Sequence, residues 1–167
     1  MAYDTCAVAN ALLEIGKRKG VQMSMMKLIK MTFFAHAWSL AIFGRPLCSE
    51  TVQAWRYGPV FPYLYNTLAG AGYKGAQIIN KPLPAMFSDE PAMANFEPAE
   101  RQLMEKVVDR YGQYSSFDLS RITHIPGSPW SQVSPEGLFV PIPDSVIRDY
   151  YVRKARSNQK SRGESGA

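Results

Sequence analysis

The 167-residue sequence is poor in cysteine and histidine, and this scarcity limits the chemistry it can carry. Two cysteines, Cys6 and Cys48, exclude a disulfide-dense secreted scaffold and fit a reducing compartment. The candidate metal ligands are these two cysteines and the histidines His36 and His124, and no two of the four are closer than 12 residues. Because zinc sites usually draw paired ligands from one turn, neither a metal site nor a cofactor is predicted.

Catalytic motifs are also missing from the sequence. It has no G-x-S-x-G elbow, no glycine-rich phosphate loop followed by lysine, and no zinc-deaminase pattern. A nucleophile site would need Cys48 or a serine beside a base. Cys48 and His36 could be neighbours, but a satisfied buried histidine next to a small apolar cysteine explains that pair better. The sequence therefore predicts a protein that is not an enzyme.

A leader and a membrane span are two further features that we do not find. The first residues show no basic region followed by an apolar run, so no secretory signal is expected. The most apolar segment, residues 31–43, is interrupted by His36 and is shorter than the roughly 20 residues that a membrane helix needs. We therefore expect a cytoplasmic protein.

Excess positive charge is confined to one end of the chain. The formal charge is +5, and residues 153–167 carry five basic residues and one acidic residue, which leaves a net of +1 for residues 1–152. Residues 157–167 lack a large apolar side chain, so they are predicted to form a disordered basic tail after a domain of residues 1–156. The tail can be purely solubilising, or it can contact nucleic acid or an acidic partner weakly.

Hydrophobic periodicity predicts a mainly α fold: one compact domain of about six helices with one or two short strands or a small hairpin. Asp4 is expected to cap a helix over 5–18. Ser24 is expected to cap a helix over 25–43 that is apolar nearly all round and therefore central. Specific DNA binding is not expected, because this second helix is too apolar to lie in a groove.

The remaining segments are assigned from their caps, prolines and β-branched residues. Further helices are expected over 62–69, over 98–111, from Ser115 to about 123, and from about 143. Residues 51–57 are expected to be a short strand or extended segment that ends in a Gly58–Pro59 turn. A brief strand is expected at 139–140, an irregular loop over 124–130, and a long loop over 74–95 that can include a short strand at 77–80.

Two loop segments are dense in aromatic side chains. Trp55, Arg56 and Tyr57 lie next to one another, and Trp130 follows two prolines within five positions. Tryptophan, tyrosine and arginine are the residues that most often anchor protein interfaces. The alternative is that both tryptophans pack over helix ends as lids of the core. Arg56, between two aromatics, is expected to be exposed or paired.

The segments Lys27–Leu40, Gly44–Leu47 and Gln53–Val60 resemble the Panacea domain. This is the SocA-like antitoxin domain, and its family also includes phage-associated GepA-like proteins. Later motifs match in the same order, so the resemblance extends from about residue 23 to residue 130. It assigns a core motif to Lys27, Leu28, Phe33, Ala35, His36 and Trp38. It assigns a partner-binding or family-motif set to Trp55, Arg56, Tyr57, Gly58, Pro59, Val60, His124, Ser128, Pro129 and Trp130.

The resemblance implies a bacterial or phage protein that acts as an antitoxin by binding a protein toxin directly. The alternative is a phage or prophage-encoded inhibitor, or a proteolytic adaptor, that binds a host defence protein or an ATP-dependent protease. Many family members carry a DNA-binding module, and we do not expect one in this chain. No catalytic residue carries over, and the segment Lys81–Phe96 matches no family motif.

Overall fold

The computed structural model describes the backbone of residues 2–165 and the side chains of residues 2–160. The helices in this part of the chain are α1 (Thr5–Arg18), α2 (Met25–Phe43), α3 (Pro62–Gly70), α4 (Pro98–Tyr111), α5 (Ser116–Thr123), α6 (Pro129–Val133) and α7 (Asp144–Ser165). The strands β1 (Val52–Trp55), β2 (Gly58–Val60) and β3 (Val140–Ile142) form an antiparallel sheet in the order β2-β1-β3. The predicted mainly α fold with a small hairpin is confirmed.

Helix α2 is the centre of the molecule, as its apolar composition predicts. It is in contact with α1, α3, α4, α5, α7 and β2, so almost every side of it is covered. Its bounds are also as predicted, because the Ser24 hydroxyl accepts from the backbone of Lys27 at one end. At the other end, Gly44 takes a left-handed conformation with φ of 70°. The Phe34 ring stacks on Tyr111 of α4 with 4.0 Å between ring centroids.

Charged side chains at the end of α1 pair with α4. Arg18 lies 2.6 Å from a carboxylate oxygen of Glu105, and Lys19 lies 2.6 Å from one of Asp109. The basic run that ends α1 is therefore part of a surface between two helices. Lys27 donates from Nζ to the carbonyl of Gly112 at 2.6 Å. This carbonyl lies at the C-terminus of α4, where the helix dipole stabilises a cation.

The hairpin differs from the prediction in the position of its turn. The prediction of a Gly58–Pro59 turn is wrong: Arg56 and Tyr57 form the turn, and Trp55 pairs with Gly58. Pro59 can lie in β2 because this strand is at the edge of the sheet, where a missing amide hydrogen interrupts no hydrogen bonds between inner strands. Gly58 has φ of 122°, a conformation that side-chain-bearing residues rarely adopt.

The segment 124–130 is less irregular than predicted. Ser128 caps α6, since its hydroxyl accepts from the backbone of Ser131 at 3.2 Å. Pro129 occupies the first turn of the helix, where its missing N–H costs nothing. Pro126 and Pro129 exclude a strand with regular hydrogen bonding, as expected, but Pro129 starts the helix α6.

Two loop predictions are refined by the structure. The long loop over 74–95 has no strand, and the optional strand at 77–80 is reduced to one bridge between Ser24 and Ile78. The last strand begins at Val140, one residue later than expected, and runs to Ile142.

Helix α7 continues through most of the predicted tail. Where the sequence predicts disorder from Ser157, the structure extends the helix to Ser165, and residues 166 and 167 lie outside the described part. Adding residues to an existing helix avoids the cost of nucleation, and this stretch contains no proline. The domain boundary at residue 156 stays a prediction. Within the described residues, the helices include none that is long and apolar enough to cross a membrane.

Candidate protein-binding site

The β1–β2 turn is tied to α5 and α6 through its backbone. The carbonyl oxygens of Trp55–Tyr57 each face a polar side-chain atom: Trp130 Nε1 at 2.6 Å, His124 Nε2 at 3.2 Å and Ser120 Oγ at 3.0 Å. The two predicted segments are therefore in contact, as a single surface requires. With its carbonyls occupied, the turn is fixed and presents the side chains of Arg56 and Tyr57 outward.

His124 forms a bridge between the end of α5 and the turn. Its Nδ1 lies 2.5 Å from the carbonyl of Ser120, and its Nε2 faces the carbonyl of Arg56. Carbonyl oxygens only accept, so a neutral imidazole donates to one of them at a time and a protonated ring donates to both. The ring also packs on Trp130, with 3.9 Å between centroids. His124 thus holds the two segments together.

A buried lysine supports the hairpin from below. Lys30 of α2 is completely buried, and its Nζ donates to the carbonyl of Pro59 at 3.2 Å. Burial lowers the pKa of this amine to about 7. The same amine lies beside Gly58, where a Cβ atom would come within 2.8 Å of Nζ and 2.7 Å of Thr123 Oγ1. The chain therefore needs glycine at this point for close approach as well as for its φ.

The predicted partner-binding residues divide into three groups by exposure. Arg56 and Tyr57 are exposed, and 59% of Tyr57 is accessible. Trp55, His124 and Trp130 are half-buried. The others are buried, so they support the surface and do not themselves offer a contact: Gly58, Pro59, Val60, Ser128 and Pro129.

Trp55 and Trp130 combine the two roles considered from the sequence. The Trp55 ring packs against Tyr65 and Phe139, with centroids 4.8 and 5.2 Å apart. Its indole donates to Gln53 Oε1 at 2.9 Å, and the Trp130 indole donates to the hairpin backbone. Both rings are lids over the core, as the alternative stated, yet each keeps a solvent-facing part.

Sequence reasoning missed four exposed apolar residues near the same turn: Phe117, Ile125, Leu138 and Phe139, which are 70, 44, 57 and 58% exposed. Phe117 lies three positions before Ser120 on α5 and shares the helix side that touches the turn. Phe139 packs its ring on Trp55 and donates from its amide to Ala54 at 2.8 Å. The available sequence signal for Phe117 was the helix start predicted at Ser115, because it places Phe117 in the first turn of α5. We call the surface formed by Trp55, Arg56, Tyr57, Phe117, Ile125 and Phe139 the hairpin face.

The core family motif is structural. Leu28, Phe33, Ala35 and Trp38 are buried, and the Trp38 indole donates to the Tyr111 hydroxyl at 2.9 Å. Lys27 makes the backbone contact with Gly112 given above, and His36 bonds to the Cys48 amide and to Asp144 at the start of α7. Each motif residue therefore positions a helix end or a core layer.

His36 and Cys48 are neighbours, in the satisfied arrangement that the sequence favours. His36 Nδ1 accepts from the amide of Cys48 at 3.1 Å, so Nε2 carries the proton toward Asp144 Oδ1 at 2.9 Å. Burial raises the pKa of the Cys48 thiol well above its usual value, which is typical of an inert cysteine. In the described part of the chain, no three His, Cys, Asp or Glu side chains are grouped to hold a metal ion.

Comparison with known proteins places these features in a family context. Residues 28–131 match the family model described as antitoxin SocA-like, Panacea domain. The antitoxin SocA of Caulobacter vibrioides (strain NA1000 / CB15N) is 30% identical over 158 residues, which cover 90% of this chain and 83% of the relative. No solved structure matches the chain. The matched range contains most of the central helix, from Leu28 onward, together with the hairpin and α5.

Proposed function

The chain belongs to the family of antitoxin SocA-like proteins with the Panacea domain, and on this basis we propose that it neutralises a protein toxin by direct, stoichiometric binding in the cytoplasm. The family resemblance read from the sequence motifs is confirmed. Our proposal goes further in two respects: it makes the hairpin face the toxin-binding surface, and it requires no catalysis by this chain.

The observation that carries the proposal is the fixed turn at Arg56 and Tyr57. These two side chains are exposed, while the backbone beneath them is held by three side chains of α5 and α6. A surface that is already ordered loses less conformational entropy on binding, so more of its contact energy appears as affinity. Tyrosine and arginine are also enriched among residues whose truncation costs an interface most.

The composition of the hairpin face indicates the chemistry of the partner. Phe117, Ile125 and Phe139 are exposed, and the face also carries the cation Arg56, whose guanidinium lies 5.6 Å from the Tyr57 ring centroid. An arginine held beside an aromatic ring is well placed for a planar, bidentate contact with a carboxylate. We therefore expect a toxin surface with an apolar area and an acidic side chain opposite Arg56.

A tagged full-length chain purified from its native host tests the proposal. Mass spectrometry should identify a stoichiometric small protein whose expression alone stops growth and whose toxicity disappears when the two are co-expressed. Recovery of only protease subunits or host defence proteins would contradict the antitoxin proposal and support the adaptor or inhibitor. Recovery of no partner, together with failure to rescue a neighbouring toxic reading frame, would also contradict it.

A double substitution locates the binding surface. We expect Arg56→Ala with Tyr57→Ala to weaken toxin binding by at least about tenfold, since losing interface anchors costs more than about 1.4 kcal/mol. The midpoint of thermal unfolding should barely change, because both side chains are exposed. Isothermal titration calorimetry and differential scanning fluorimetry measure the two quantities.

A matched control separates this effect from a general loss of surface residues. Ile42 and Arg148 are exposed outside the hairpin face, and the exposure of Ile42, 58%, is close to that of Tyr57. The variant Ile42→Ala with Arg148→Ala should bind the toxin like the unmodified chain. Equal weakening by both double variants would refute the hairpin face as the site, and a large drop in unfolding midpoint would assign Arg56 and Tyr57 a structural role.

A further inference from the structure

The segment Leu83–Ala92, which has no counterpart among the family motifs, forms a pinned loop. The Asn10 side chain of α1 accepts from the Leu83 amide at 2.7 Å and donates to the carbonyls of Leu83 and Ala92 at 2.8 and 2.9 Å. The Ala92 amide donates to Leu83, and the Ala85 amide donates to Glu90. Both ends of the loop are therefore held, and the residues between them project from the molecule.

The tip of this loop exposes apolar side chains, and one of them has an unfavourable backbone conformation. Phe87 is 100% exposed and Met86 is 51% exposed. Phe87 also has φ of 64°, a left-handed conformation that residues with a side chain rarely adopt. A wholly exposed phenylalanine in this conformation gains nothing from its own chain. Such positions are characteristic of binding segments, where the partner supplies the missing contacts.

A cleft of about 590 Å³ lies next to the loop, between α1, residues 78–82 and residues 91–96. Its lining is mostly apolar and includes Ile79, Ala92 and Phe96. The charged groups on its rim are Lys17, Lys81 and Arg101, against one acid, Glu14. The cleft thus offers an apolar floor and an excess of two positive charges.

The tip and the cleft have complementary chemistry. The tip carries Met86 and Phe87 followed by the acids Asp89 and Glu90, all of them exposed. From this match we propose that the loop tip of one copy of the chain docks into the cleft of a second copy. Phe87 would enter the apolar floor, and the two carboxylates would face the lysines of the rim.

The position of the loop makes the contact reciprocal. Pro91–Met93 leave the loop and line the cleft, so the two features adjoin on one surface. A two-fold axis beside them lets each tip enter the other copy's cleft, which gives a closed dimer. The tip does not fill its own cleft, because Phe87 is wholly exposed. The proposal is independent of the antitoxin function, since it needs no toxin.

Sedimentation equilibrium of the purified full chain, without toxin, tests the dimer. We expect a monomer–dimer equilibrium that weakens with added salt, because the charge pairs are at the rim. Phe87→Ser should raise the dimer dissociation constant by at least about tenfold, as loss of a central anchor does. Ile42→Ser, which removes an exposed apolar residue elsewhere, should leave it unchanged.

A charge exchange tests the register of the contact. Asp89→Lys with Glu90→Lys should weaken self-association, and so should Lys17→Glu with Lys81→Glu, because each leaves like charges facing each other. Mixed together, the two variants should form a heterodimer. The basic tip of the first variant then meets the acidic cleft of the second, and the acidic tip of the second meets the basic cleft of the first. Circular dichroism checks that both variants are folded.

Three results would overturn the proposal. A chain that is monomeric at every concentration has no such contact. A dimer that is insensitive to Phe87→Ser, or charge variants that fail to combine, would mean that another surface is used. If the chain is monomeric and Phe87→Ser instead weakens toxin binding, the loop belongs to the toxin interface.

Discussion

At the scale of single residues, Lys30 is the least expected side chain in the core. It lies on the most apolar helix, is fully buried, and uses its amine to hold Pro59 of the hairpin. Burying an amine costs free energy, and the lowered pKa of Lys30 is the measure of that cost. Burial of Lys30 thus lowers the stability of the core, while its bond to Pro59 holds the hairpin in place.

The pH dependence of stability should therefore include a contribution from Lys30. The unfolded chain keeps this amine protonated up to its ordinary pKa of 10.5, whereas the folded chain releases the proton at a pKa of about 7. Between these values the unfolded state binds more protons, so this contribution to stability rises as pH increases. Below about pH 7 the whole penalty applies, on the order of a few kcal/mol.

Lys30→Met removes this term. We expect the variant to exceed the unmodified chain in stability at about pH 6, and the difference to shrink steadily toward pH 9. Urea unfolding of both proteins across this range measures the difference, in which contributions from other groups cancel. Lys106→Met, at an exposed position of α4, is the control and should give a difference that does not vary with pH. A pH-independent difference for Lys30→Met would refute the argument.

Gly58 provides a second prediction at this scale. Gly58→Ala would bring a Cβ atom within 2.7 Å of Thr123 Oγ1 and 2.8 Å of Lys30 Nζ, at a φ of 122°. We expect a loss of at least about 2 kcal/mol in unfolding free energy, from overpacking and backbone strain together. Gly72→Ala is the matched control, because Gly72 has φ of 91° but nothing within 4 Å. Equal losses in the two variants would mean that close packing at Gly58 contributes nothing.

At the scale of secondary-structure elements, the β1–β2 hairpin is held by side chains of α5 and α6 as well as by the pairing of its own two strands. Trp130→Phe keeps an aromatic ring but removes the donor to the Trp55 carbonyl, a bond of 2.6 Å. We expect faster amide exchange in β1 and β2 and a stability loss of about 1 kcal/mol. Hydrogen–deuterium exchange with mass spectrometry reports both strands.

Gln53→Ala is the control for this experiment. It removes an indole bond of Trp55 that lies within β1 and joins no second element. Exchange in the hairpin should therefore stay close to that of the unmodified chain. If Gln53→Ala loosens the hairpin as much as Trp130→Phe does, the connection to α6 is not what fixes the turn.

The same scale explains which parts of the fold could be predicted from the sequence. Helices α1, α2 and α4 begin and end as expected, because caps such as Asp4 and Ser24 and the terminator Gly44 are local signals. We predicted the turn two residues too late, because a Gly–Pro dipeptide is typical of a turn. In the structure Gly58 and Pro59 lie in the edge strand of a sheet that β3 completes. β3 lies about 90 residues away in the chain.

The candidate site was predictable only in part, for a related reason. Trp55, Arg56 and Tyr57 stand out by composition, and His124 and Trp130 by resemblance, so their proximity could be expected. Whether a side chain is exposed depends on packing between distant elements. Sequence patterns therefore could not show that Pro59 and Pro129 are buried, nor that Phe139 extends the surface.

At the scale of the whole molecule, the two proposed binding surfaces share a backbone feature. Within the described residues, the non-glycine residues with positive φ are Phe87 and Phe139, and both are exposed. Phe139 belongs to the hairpin face and Phe87 to the loop tip. Residues in this strained conformation cluster at functional sites. One core built on α2 thus carries two exposed aromatic residues of this kind.

The extent of the folded unit can be tested by truncation within α7. Ile147 and Tyr151 are buried against the core, and the Tyr151 ring meets Trp38 with centroids 5.1 Å apart. We therefore expect a chain ending at Arg156 to keep its unfolding free energy within about 0.5 kcal/mol, because residues 157–160 present mostly exposed side chains. A chain ending at Pro143 should not fold, since it loses both anchors, each of them worth roughly 2–5 kcal/mol. Urea unfolding followed by circular dichroism distinguishes the two truncations, and a large loss from the first would show that the end of α7 belongs to the domain.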